Sequence, residues 1–118
     1  MDQGKIAVRY AKAFFELAKE KGLLDLLKED IGTICVLCNE SPEFKDVLDS
    51  PVINTRQKIR LLDPVLEGKV QPLTLELIRL VTRHKREANL PGICRNFMAM
   101  YKKEKGIKTA VLTSAAPL

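Results

Sequence analysis

The chain has 118 residues, 46% apolar and 30% charged, which is one domain's worth of sequence with enough core to need neither metal nor disulfide. Only 5% of residues are aromatic and none is Trp, so an aliphatic core is expected. A net charge of +5 leaves nucleic acid, an anionic surface or an acidic partner open. An odd count of three cysteines excludes a complete disulfide framework and fits a reducing compartment.

In chain order, the first helix is expected from about Lys5 to Lys21, stopped by Gly22 after a lysine-rich last turn. Its polar side chains, Lys5, Arg9, Lys12 and Glu16, fall on one narrow stripe at spacings of four, three and four. Ile6, Ala7, Val8, Tyr10, Ala11, Ala13, Phe14, Phe15, Leu17 and Ala18 make up the rest. A surface helix needs an apolar arc of only about 100°, so this one must be covered on two sides. Either it is a central helix wrapped by its own bundle, or one side faces the core and the other lines a groove, where the alanines would let another helix approach closely.

Leu24, Leu27, Ile31, Ile34 and Cys38 share one face of a second helix. Ser41-Pro42-Glu43 reads as an N-cap, a first-turn proline and an acid that complements the helix dipole, opening a short helix with Phe44, Val47 and Leu48. Ser50-Pro51 breaks it. Asn54 with Gln57 three residues on forms a capping-box variant, with Ile53 available as a staple, for a fourth helix that buries Ile59, Leu62 and Leu66 and ends at Gly68. Pro72 opens a fifth, with Leu73, Leu77, Leu80 and Val81 inward; Leu75 and Ile78 extend its apolar surface over more than one face. A sixth begins near Asn89-Leu90-Pro91, carries Ile93, Cys94, Phe97, Met100 and Tyr101, and is expected to stop at Gly106. Ile107 to Thr113 alternates and is β-branched, so it reads as a strand; with no partner strand it would be the start of a missing second domain. The expected architecture is all-α, a six-helix bundle over residues 1–105 followed by a strand-like stub over 106–118.

Little here points to chemistry. Cys35-Val36-Leu37-Cys38 has C-x-x-C spacing, but zinc needs four ligands, and only Cys94 and His84 remain. A redox pair would sit at a helix N-terminus after a strand, whereas this one lies within a helix, which favours core cysteines. As a catalytic base His84 would need a carboxylate to orient it and a nucleophile in reach, and no motif supplies either. No phosphate loop, nucleophile elbow or paired-carboxylate motif occurs, so no catalytic residue, metal or cofactor is expected. The basic clusters Arg83–Arg86 and Lys102–Lys105 fall in the last turns of helices, where cations complement the dipole, and only Tyr101 offers a stacking ring. A basic nucleic-acid-binding module is the second reading. The opening residues show no signal or transit pattern, and no apolar run reaches the ~18 residues of a membrane span.

Val8-Arg9-Tyr10-Ala11-Lys12-Ala13-Phe14-Phe15-Glu16-Leu17-Ala18 resembles the opening helix of the delta subunit of bacterial F-type ATP synthase, the counterpart of mitochondrial OSCP. Leu77-Ile78-Arg79-Leu80-Val81, then Arg86, Leu90-Pro91 and the helix through Phe97, is similar to that family's fifth and sixth helices. Ile107 to Thr113 falls where the family's C-terminal domain begins. Arg83-His84-Lys85-Arg86 stands in place of the family's glycine-containing turn. The resemblance implies a non-catalytic stator subunit, peripheral to the cytoplasmic side of the bacterial plasma membrane and supporting proton-driven ATP synthesis. Its bundle would hold the N-terminal helix of an alpha subunit between the first and fifth helices, and a C-terminal domain would join b-type stalk subunits. No homo-oligomer, nucleic acid or membrane insertion is implied. The expected groove residues are Tyr10, Ala13, Phe14 and Leu17 on the first helix, and Leu77, Leu80, Val81 and His84 on the fifth.

Overall fold

The computed structural model describes residues 3–112, with side chains placed from 4 to 106. Helix α1, Gln3–Glu20, ends in a Schellman turn. Gly22 takes φ 69, its N–H bonds Lys19 O at 3.1 Å, and Leu23 N–H reaches back to Ala18 O at 2.9 Å. Helix α2, Leu24–Glu40, follows at once. Ser41 caps α3, Pro42–Asp49, by accepting from Phe44 N–H at 3.3 Å, with Pro42 in the first turn. Helix α4, Thr55–Leu66, opens on the expected reciprocal box: Asn54 Oδ1 accepts from Gln57 N–H at 2.9 Å, and Gln57 Oε1 from Asn54 N–H at 3.2 Å. Helix α5 is Pro72–Arg83, a 3-10 turn covers Glu87–Asn89, and α6 is Leu90–Leu112.

Helix α6 is the spine. It packs most extensively on α1 and then on α2, while α4 packs on α5. Phe97 has no exposed surface and meets Phe14 and Phe15 with ring centroids 5.6 Å away in both cases. Around this aromatic knot the core is aliphatic, including Leu27, Ile31, Ile34, Leu48, Leu66, Leu90 and Ile93. At the far end Tyr101 donates to Asp25 Oδ1 at 2.7 Å and Lys105 pairs with the same oxygen at 3.2 Å, fastening α6 to the first turn of α2.

Three features depart from the sequence expectation. First, α6 does not stop at Gly106 and the segment over 107–112 is not a strand: the helix continues to Leu112. With no neighbouring strand among the described residues, a helix is the form in which this backbone satisfies its own hydrogen bonds; Thr113 and the rest of the expected stub lie outside the described residues. Second, Leu80, expected inward, is 41% exposed, and Ile59 is only partly buried.

Third, the interior holds polar groups that apolar periodicity does not find. Asp30 is 6% exposed, and its Oδ2 accepts from Gln71 N–H at 2.8 Å and from the hydroxyl of Thr74 at 2.7 Å. Gln71, the N-cap of α5, makes no side-chain cap of its own. Asp30 therefore caps that helix from α2, placing a carboxylate at the positive end of its dipole. Lys58 is also buried; its ammonium donates to Leu48 O at 3.0 Å and pairs with Glu87 at 2.5 Å, joining α4, the end of α3 and the 3-10 turn.

Candidate functional site

Helix α1 turns Ile6, Ala7, Ala11, Phe14, Phe15 and Ala18 inward. Its second apolar side is uncovered: Ala13 is exposed, and Tyr10 and Leu17 are half-buried. Helices α1 and α5 do not pack closely on one another, because each is held to a different neighbour. Between them lies a cleft of about 260 Å³ lined by Tyr10, Ala13, Phe14 and Leu17 from α1 and by Leu73, Glu76, Leu77, Leu80 and Arg83 from α5. A central helix wholly wrapped by its own bundle is thus not what the described residues form.

Six of the expected groove residues, Tyr10, Ala13, Phe14, Leu17, Leu77 and Leu80, line the cleft together. Phe14 and Leu77 form its floor and belong equally to the core, and Leu80 stands on its rim. Val81 does not line it; at 1% exposure it points into the core, one helical step of about 100° from Leu80. His84 lies beyond the lining, but its Nδ1 shares a 2.7 Å hydrogen bond with Tyr10 Oη, which closes one end of the cleft and joins the two walls. Sequence reasoning passed over Leu73, Glu76 and Arg83 as groove residues. Their signal was the three- and four-residue spacing from Leu77 and Leu80, which carries one face of α5 along its whole length.

The polar rim is internally paired on one side. Arg79 grips Asp63 with Nε at 3.2 Å and Nη2 at 3.0 Å, and reaches Glu76 through Nη1 at 2.9 Å, so Glu76 is anchored at the cleft edge. The C-terminal end of α5 closes with a second Schellman turn, in which Arg86 N–H bonds Val81 O at 2.9 Å and Lys85 N–H bonds Thr82 O at 3.0 Å. Lys85 occupies the left-handed position, φ 60, that glycine usually fills. The glycine-free turn therefore keeps the geometry of a glycine one, at the cost of strain in a lysine.

Other concavities are poorer candidates for an apolar ligand. A larger depression of about 570 Å³ is lined mainly by polar and charged residues, among them Ser50, Asn54, Arg56, Lys85 and the paired Lys58 and Glu87. Among the described residues no cluster of three His, Cys, Asp or Glu side chains is placed to hold a metal. Cys35 on α2 is hydrogen-bonded to Cys94 on α6, which lowers the Cys35 thiol to about 7 against the opposing effect of burial, with Arg95 assisting. Cys94 is pushed up by the same hydrogen bond and by burial, whereas burial pushes Cys38 up to about 11.

Among the described residues, six helices around an aliphatic core, with an apolar cleft left open between two of them, define the class: an all-α bundle with a surface groove. Residues 6–118 match the family model described as the ATP synthase delta (OSCP) subunit. Relatives named ATP synthase subunit delta include those of Symbiobacterium thermophilum, 35% identical over 96% of this chain and 61% of its own length, and of Parabacteroides distasonis, 36% identical over 91% and 59%. A third, from Cytophaga hutchinsonii, is 30% identical over 100% of this chain and 65% of its own length. The chain belongs to the ATP synthase delta (OSCP) subunit family. It spans about three-fifths of the length of the curated relatives it matches. No described helix is long and apolar enough to cross a membrane.

Proposed function

We propose that the α1–α5 cleft receives an amphipathic helix from the N-terminus of an alpha subunit, and that the chain serves as a non-catalytic stator element of the F-type ATP synthase. The observation that carries this reading is the uncovered apolar face of α1, with Ala13 at its centre and Leu73, Leu77 and Leu80 opposite. Helix-in-groove recognition needs such a surface: side chains from one face of the incoming helix fill the apolar floor, while a small residue lets the two backbones approach. Glu76 and Arg83 on the rim offer one charge of each sign, which would set the register and direction of the partner helix.

In this role the bundle, residues 1–105, holds the catalytic head. Contact with b-type stalk subunits is assigned to the portion of the relatives' length that this chain does not span. The bundle would lie at the periphery of the bacterial plasma membrane, on its cytoplasmic side, as one copy without self-association. The work is mechanical: a grip of nanomolar strength, about −12 kcal/mol, must outlast the torque of the rotor, so slow dissociation matters more than fast association.

Calorimetric titration with a peptide of roughly 20 residues from a matching alpha-subunit N-terminus tests the reading. Binding with a negative heat-capacity change and little salt dependence is expected. Affinity for duplex or single-stranded nucleic acid that collapses with salt, with no peptide binding, would overturn it in favour of a basic-surface role.

A further inference from the structure

The charges along the α1–α5 cleft are not equally engaged. Arg83 lines it at the C-terminal end of α5, is exposed, and has no ion pair among the described residues. Next to it His84 Nδ1 and Tyr10 Oη lie 2.7 Å apart, with ring centroids at 6.1 Å, so each ring holds the other. That bond leaves Nε2 as the free ring nitrogen, and when the phenol donates to Nδ1 the imidazole proton sits on Nε2. Lys85 and Arg86 follow, also exposed and without an ion pair among the described residues. Acids close by are already taken. Glu87 pairs with Lys58, and Glu76, the other charge on the cleft lining, is held by Arg79 Nη1 at 2.9 Å. At the opposite end of α5 the charged group is a carboxylate, Asp30, satisfied by Gln71 N–H and the Thr74 hydroxyl. One end of the cleft therefore gathers cations and a donor that meet no anion.

We propose, resting on the helix-in-groove reading above, that Arg83 and His84 form a carboxylate subsite and that the docked helix is acidic at the end lying against the Tyr10–His84 bridge. A guanidinium presents paired N–H groups that match both oxygens of a carboxylate. His84 Nε2–H adds a donor from a ring that Tyr10 keeps in place. Leu77 and Arg83 are six residues apart, about 9 Å of helical rise. The acid thus falls roughly one to two turns along the partner from the side chain that packs on Leu77. Turned the other way, the acidic end would lie toward Glu76 and find no cation that is not already engaged. A lysine or arginine on the partner at the Arg83 end would set like charges together at a partly desolvated edge.

Calorimetry with the alpha-subunit peptide of roughly 20 residues tests this, each Asp and Glu of the peptide being changed in turn to Asn or Gln. The series is run against the parent, Arg83→Glu and Arg60→Glu. Arg60 is an exposed cation on α4 that does not line the cleft, so it reports the effect of net charge alone. At low salt Arg83→Glu should weaken the parent peptide roughly tenfold and Arg60→Glu less than about twofold. One amide-substituted peptide should bind the parent chain more weakly, yet bind Arg83→Glu no worse than the unsubstituted peptide does. Lysine at that same peptide position should restore affinity for Arg83→Glu. The peptide series on the parent needs no substituted chain, and circular dichroism checks that the variants fold. Peptide binding that is equally weakened by Arg60→Glu and Arg83→Glu, or in which no single carboxylate couples to Arg83, would overturn the subsite and leave the groove standing. No peptide binding by the folded parent would overturn both.

Discussion

Asp30 is where one side chain does most to position the cleft. Its carboxylate takes two hydrogen bonds at the N-terminus of α5, from Gln71 N–H and the Thr74 hydroxyl, at 2.8 and 2.7 Å. Thr74 has no exposed surface, so Asp30→Ala strands its hydroxyl without water, whereas Gln71 is exposed and its N–H can be solvated. A hydrogen bond to a charged group contributes about 1.5–3 kcal/mol and an orphaned buried hydroxyl costs about 1–3. With the lost dipole complement and a small cavity, the expected destabilisation is about 3 kcal/mol, or on the order of 10 °C in Tm for a domain of this size. Asp30→Asn keeps an acceptor and should cost less than half as much. Urea denaturation followed by circular dichroism reads both values. In the double-mutant cycle, Asp30→Ala with Thr74→Val should cost clearly less than the sum of the single changes. If Asp30→Ala lies within 1 kcal/mol of the parent, or if the two changes simply add, the account of how α5 is anchored fails.

Lys58→Met alone should cost about 3 kcal/mol, because it leaves the Glu87 carboxylate and Leu48 O buried without their cation, and adding Glu87→Gln should return most of that loss in the same denaturation assay. Lys85→Gly should stabilise the chain by about 0.5–1 kcal/mol: relief of a left-handed lysine exceeds the entropy cost of glycine, and a lower urea midpoint would refute the reading of the α5 turn. Iodoacetamide should modify Cys35 first, at a rate that rises with pH and is half-maximal near pH 7, because deprotonation on passing upward through about 7 creates the reactive thiolate. Cys38 and Cys94 should stay unmodified in the native state across that range, as mass mapping would show.

Element boundaries were legible where a residue has a local job. Gly22, Ser41-Pro42 and the Asn54–Gln57 box each act within four residues of themselves, and each appears in the structure as its local chemistry requires. The two-sided apolar pattern of α1 was legible for the same reason. What periodicity could not do was rank adjacent apolar residues. Leu80 and Val81 both look inward on a helix with apolar residues on several faces, and only the position of α1 decides that one lines the cleft and the other fills the core. Asp30, Lys58 and Thr74 were illegible because a polar residue in an apolar register reads as surface. Their partners lie 41, 29 and 44 residues away along the chain. The β-branched run after Gly106 misled because alternation is only half of a strand's requirement; the other half is a neighbour to pair with, and the helix through Leu112 needs none.

The measurement that bears most directly on the cleft is peptide affinity with Leu80→Glu beside the parent. Leu80 is 41% exposed, so the substitution should leave the fold intact by circular dichroism. Burying its carboxylate under an apolar helix should weaken binding by roughly 100-fold or more. Tight binding by the parent that Leu80→Glu abolishes would place the partner helix between α1 and α5. Equal affinity for both chains would show that the helix docks elsewhere and that the cleft is not the grip.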